Sequence, residues 1–134
     1  SARSPEEARL AIVMLLPHSM GGYGRGPLVM DYRVDAEETL KKCDIFLLIG
    51  RIDIEYQSDL YHASREALRS DSKRANALSA LGIPVVTVTS EELREPELFH
   101  TVMEHVGKLQ NRKLRIRTSG FTEKRKALWD ALFD

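Results

Sequence analysis

Cysteine occurs once in the 134 residues, at Cys43. A single thiol rules out an internal disulfide and any cysteine-based zinc site, and a reducing cytoplasm fits such a chain. Excess charge of either sign is also missing: 20 lysines and arginines face 20 aspartates and glutamates, so the formal net charge is zero. Stand-alone nucleic-acid binders are mostly basic, so this balance counts mildly against that class. The distribution matters more than the sum, and KLQNRKLRIR (108–117) concentrates five basic residues with no acid. Long apolar runs are lacking too. LAIVMLLP (10–17) is too short to span a bilayer and has neither a basic leader nor a small-residue cleavage site, so no membrane partner is expected.

What is present is ordinary for a globular protein: 43% hydrophobic and 30% charged residues, in a length that suits one domain, 1–134, with a real core. The first residues, SARSPEE, include no methionine, as expected of a processed product or a domain excised from a longer chain.

Ser4-Pro5-Glu6-Glu7 reads as a helix start, with serine capping, proline in the first turn and Glu7 placed for a capping box. That helix runs to about Leu16. HSMGGYGRGP (18–27) is glycine-rich, but no strand precedes it and no helix follows, so the glycines read as turn formers rather than a dinucleotide fingerprint. A strand is expected over 28–34, then a polar short helix or loop over 35–42, then strands over 44–49 and 52–57. A helix over about 61–82 closes at Gly82, a strand follows over 83–89, and helices are expected near 91–110 and 122–133. The order implies an α/β fold: a mixed sheet of about four strands flanked by helices, its last strand parallel through a right-handed crossover.

RIDIEYQSDLYH (51–62) poses the functional question, because its acids alternate with Ile52, Ile54 and Tyr56 beside the very apolar CDIFLLIG (43–50). A two-residue turn at Gly50-Arg51 would pair residues summing to 101. It sets Asp44 opposite Gln57 and diagonal to Glu55, with Ile45, Leu47, Ile49, Ile52, Ile54 and Tyr56 on the other face. Asp44 and Glu55 would then hold one divalent metal, Mg2+ or Mn2+, for phosphodiester hydrolysis, with Gln57 orienting water or phosphate. The competing explanation is a solvated polar face.

Asp44, Glu55 and Gln57 at this spacing resemble the restriction-endonuclease-like PD-(D/E)XK nuclease pattern. IEYQSDLYH (54–62), DSKR (71–74) and LGIPVVTVT (81–89) are similar to small domains related to very short patch repair endonucleases. Those carry an acid-bearing strand, a histidine, a helix with aspartate and arginine three apart, and a G-x-x-V-x-x-x-T segment. SPEEARL resembles that family's first helix. The likeness covers about residues 4–95 and implies a magnesium-dependent DNA endonuclease, with His62 and Glu7 assisting at the site and Asp71 and Arg74 supporting it. Gln57 departs from the pattern, standing where lysine or aspartate is usual; glutamine is no base but offers a carbonyl to metal or water. The alternative is a nuclease-fold module that binds DNA or regulates transcription without turnover. Related chains often carry an N-terminal winged helix and are described as transcriptional regulators or abortive-infection-type antitoxins. DNA is therefore the expected partner, with a homodimer and a preceding DNA-binding domain as further options. Plainer roles compete at each position: a capping box for Glu7, a surface helix start for His62, an ion pair for Asp71 and Arg74. Lys73 is a candidate displaced lysine, and the 108–117 cations are candidates for phosphate contacts.

Overall fold

The structure, a computed structural model, describes residues 4–36, 39–58 and 64–134, leaving aside the side chains of 36 and 39–41. The first helix, α1 (Pro5–Leu15), begins as its sequence dictates: Ser4 Oγ accepts from the Glu7 amide, and Glu7 accepts in return from the Ser4 amide. After α1 the chain doubles back over the helix end. The amides of Tyr23, Gly24 and Arg25 bond the carbonyls of Val13, Leu16 and Met14, which a helix C-terminus otherwise leaves open. Glycine is required here by close approach. A β-carbon on Gly22 would run into the Leu16 carbonyl, and one on Gly21 would lie 2.7 Å from the carbonyl carbon of Lys124.

Four strands follow in sheet order β1 (Leu28–Ala36), β2 (Thr39–Leu47), β3 (Ile52–Gln57) and β4 (Val85–Thr89). The first three are antiparallel and β4 joins β3 in parallel, the mixed sheet expected. Crossing between β3 and β4 is α2 (Arg65–Ala80), ended by Gly82 at a φ of 78°. Then come α3 (Ser90–Arg94), α4 (Pro96–Leu109) and α5 (Phe121–Phe133).

Three local expectations are corrected. Residues 35–36 and 39–42 supply strand rather than helix or loop, because β1 and β2 stay paired out to Ala36 and Thr39. The helix expected near 91–110 is two helices, since Pro96 cannot continue the amide ladder and Glu95 turns extended at ψ 105°. The β2–β3 connection is four residues, Leu48–Arg51, not two. Both Gly50 and Arg51 have positive φ, and the paired residues sum to 99, as in Leu47 with Ile52.

The sheet separates two apolar layers. Ile45, Leu47, Ile52, Ile54, Val86 and Val88 face Leu10, Val13 and Met14 of α1, Phe99, Met103 and Val106 of α4, and Trp129 of α5. On the other side Phe46 and Cys43 meet Leu78 of α2 and Ile83. Burial pushes the Cys43 thiol up to about 12, so it packs as an inert apolar group. Tyr23, 1% exposed, sits where the helices meet, edge-on to Phe99, Phe121 and Trp129. Its hydroxyl bonds His100 Nδ1 (2.9 Å) and accepts from Arg125 (3.1 Å). Among the described residues no helix is long and apolar enough to cross a membrane.

Candidate active site

A regular antiparallel ladder would bond the amides of Asp44 and Tyr56 to facing carbonyls. Instead the Asp44 amide donates to Glu55 Oε2 (3.2 Å) and the Tyr56 amide donates to Asp44 Oδ2 (3.2 Å). The two carboxyls have taken the place of main-chain acceptors. Pairing between β2 and β3 stops at Ile45 and Ile54, and the β1 residue opposite Asp44 is Asp31, at a left-handed φ of 53°. The pleat breaks here as well. Cys43 and Phe46, three apart, share one apolar layer, which a strict two-residue alternation forbids.

The two-residue register expected from the sequence is thus displaced by two, which preserves every face. Asp44 lies opposite Glu55 rather than Gln57, and the acids come together more closely than a diagonal pairing would bring them. Gln57 lies beside Thr89 of β4 and, with Glu55, Asp71, Arg74, Val85 and Thr87, lines a cleft of about 360 Å³ between β3 and α2.

Behind these residues lies Asp53, 0% exposed between Ile52 and Ile54. Arg74 reaches down from α2 to bridge Asp53 Oδ2 (3.1 Å) and Glu55 Oε2 (3.0 Å), and it also donates to the Lys42 carbonyl. One guanidinium therefore serves two acids, with Asp44 nearby. Asp53 Oδ1 is buried without a hydrogen-bond partner. Glu55 and Asp53 are within hydrogen-bonding reach, so a proton on Glu55 can be shared with Asp53. Burial, then the hydrogen bond and charge of Asp53, push Glu55 up to about 8; Arg74 only partly opposes them. Burial and the neighbouring Glu55 raise Asp44 to about 6. Burial raises Asp53 as well. Arg74 itself is held charged by the two acids it bridges.

The chain matches no protein-family model, no curated protein and no solved structure.

Of the other residues singled out in the sequence, His62 lies outside the described residues. Glu7 is engaged in the α1 capping box, and the α1 acid that reaches β3 is its neighbour Glu6, accepting from the Tyr56 hydroxyl (3.4 Å) and paired with Arg94 (3.0 Å). His18 and His100 bond the Tyr23 carbonyl and hydroxyl respectively. Lys73 is exposed on α2. Asp53 was readable as a partner of the site, because it shares the face of Glu55 and Gln57 and stands between two isoleucines.

The donor set suits a hard cation. All donors are oxygens, and one oxygen each of Asp44 and Glu55 is bonded to main chain, leaving the other for a proton or a cation. No group of three or more His, Cys, Asp or Glu among the described residues is arranged to hold a metal. A cation held by two carboxylates would complete its shell with water and phosphate oxygens, as magnesium commonly does.

Proposed function

We propose that this chain is a divalent-metal-dependent nuclease domain of the restriction-endonuclease-like kind, hydrolysing phosphodiester bonds in DNA. The observation that carries the reading is the reciprocal seating of Asp44 and Glu55 on each other's strand, beside an open cleft. Such seating fixes both carboxyls against main chain, and burial together with the closeness of a second acid raises their affinity for protons, as is common at functional sites. Asp44 and Glu55 would hold Mg2+ or Mn2+. When bound, the metal would acidify a water and offset charge on the phosphate.

The chain's own residues do the rest. Arg74 keeps Glu55 oriented through the salt bridge and keeps Asp53 from standing as an unpaired buried charge. Gln57 presents an amide to the cleft, able to orient water or phosphate but not to accept a proton. That limit, together with the Arg74 bridge already neutralising part of the site, favours a second reading: a nuclease fold that contacts DNA without turnover.

Plasmid nicking separates the two. With magnesium or manganese the unmutated protein is expected to nick supercoiled DNA. Asp44→Ala and Glu55→Ala should each lose about 100-fold or more, because the metal's charge stabilisation is worth several kcal/mol and each ~1.4 kcal/mol is tenfold. No nicking under either metal leaves only the binding module.

A further inference from the structure

After α4 the chain reverses at Asn111, whose φ is 55°, and residues 112–118 run without helix or strand. Leu114 and Ile116 pack against the core, while Arg112, Lys113, Arg115 and Arg117 are exposed. None of these four cations, which stand within six consecutive residues, has an ion-pair partner among the described residues. In a chain with balanced charge, this is a local surplus.

The main chain at the start of this segment is tied down at Arg112. Arg25, 4% exposed, donates to the Arg112 carbonyl (2.9 Å) and the Met103 carbonyl (3.4 Å). The Arg112 amide returns to the Gly107 carbonyl (2.8 Å), and Gln110 ties the Arg25 and Ile49 carbonyls. Gly107 leaves the space that the Arg25 guanidinium fills. Arg25 itself is a buried cation bonded to carbonyls and an amide, so it adds positive potential beneath the surface. Glu104, exposed on α4, lines the cleft shared with Lys108, Arg112 and Lys113 and offsets part of their combined charge.

We propose that residues 112–117 form a docking ribbon for the phosphate backbone of a nucleic acid. Three of the four cations are arginines, whose planar fork suits phosphate. Exposed Lys113, Arg115 and Arg117 alternate with half-buried Leu114 and Ile116, so these three cations are turned away from the core together. An anionic membrane is the poorer fit, because the apolar residues of the ribbon point into the core and leave none to enter lipid. The choice of nucleic acid rests on the site reading above, but the surplus charge does not.

The test is fluorescence anisotropy of a labelled DNA duplex in EDTA, which removes hydrolysis, between about 50 and 200 mM salt. Four phosphate contacts give a log–log salt slope of about −3.6. The variant Lys113→Gln/Arg115→Gln/Arg117→Gln should fall to about −0.9 with weaker binding, and its melting should be unchanged, the replaced side chains being exposed. No low-salt binding by the unmutated protein, an equal slope in the variant, or tighter binding to phosphatidylserine vesicles than to the duplex overturns the ribbon. Binding in EDTA without nicking in magnesium sinks the nuclease reading alone; nicking by a variant whose salt slope is unchanged sinks the ribbon alone.

Discussion

Replacing Glu55 with glutamine separates charge from shape at the centre of the site. The amide keeps an oxygen to accept from the Asp44 amide and from Arg74, as Glu55 Oε2 does. What it loses is the proton. Glu55 binds a proton with a pKa of about 8 in the folded chain, against 4.5 without the surroundings, and Asp44 moves from 3.8 to about 6. Folded pKa values above unfolded ones mean that the folded state holds its protons more tightly. The associated stability is full below the unfolded values and is lost as pH rises through the folded ones. The unmutated protein should therefore lose stability between pH 5 and 8, by at most ~1.4 kcal/mol per pH unit for Glu55 alone. Across the window this amounts to a few kcal/mol, a sizeable part of a typical domain's total. At roughly 4 °C per kcal/mol for a chain of this size, Tm should fall by about 10 °C. Glu55→Gln should melt like the unmutated protein near pH 5 and higher than it at pH 8, leaving only the shallower loss due to Asp44 below pH 6. Thermal melts by circular dichroism at half-unit pH steps measure both curves. A flat or rising Tm from pH 5 to 8 in the unmutated protein, or an undiminished fall in Glu55→Gln, would refute the reasoning.

Two further substitutions probe the supports. Arg74→Met removes the cation that bridges Asp53 and Glu55 and should cost about 3–5 kcal/mol at pH 8, the penalty for stranding a buried charge; the cost should shrink at pH 5, where the acids take up protons. Denaturant melts at the two pH values check this, and equal losses at both would contradict it. Gly107→Ala should destabilise by about 1–3 kcal/mol, despite alanine's better helix propensity, because its β-carbon would lie 2.7 Å from the Arg112 carbonyl and crowd Arg25. A gain in stability there would show that the ribbon's anchor is slack.

Hydrophobic periodicity made the sheet legible, because Ile45, Leu47, Ile52 and Ile54 alternate with residues that face α2. It also placed Asp44 and Glu55 on one side, since a register error of two residues leaves faces untouched. What it could not reach was the four-residue turn: Arg51 adopts a positive φ that its side chain does not advertise. Nor could a local pattern show that carboxyls would replace carbonyls as acceptors for Asp44 and Tyr56, which depends on the strands parting at Asp31. Arg74 read as half of an i, i+3 ion pair on α2, and only the packing of α2 over β3 turns it toward Asp53 and Glu55. Glu6 and Glu7 differ by one residue and hence by about 100° around a helix, so choosing which acid approaches β3 required the docked orientation of α1.

Tyr23 and Arg125 meet across a sequence separation of 102 residues. During synthesis the strands bearing Ile45, Leu47, Ile52 and Ile54 leave the ribosome well before α5 exists to complete the tyrosine's aromatic surroundings. The sheet face that packs against Trp129 must wait, partly uncovered, for the last stretch of chain. Closure that late makes folding depend on contacts distant in sequence, which slows it and prolongs exposure to aggregation. A chain cut before residue 121 would still carry Asp44 and Glu55 but would lack Trp129 and Arg125, which close its interior.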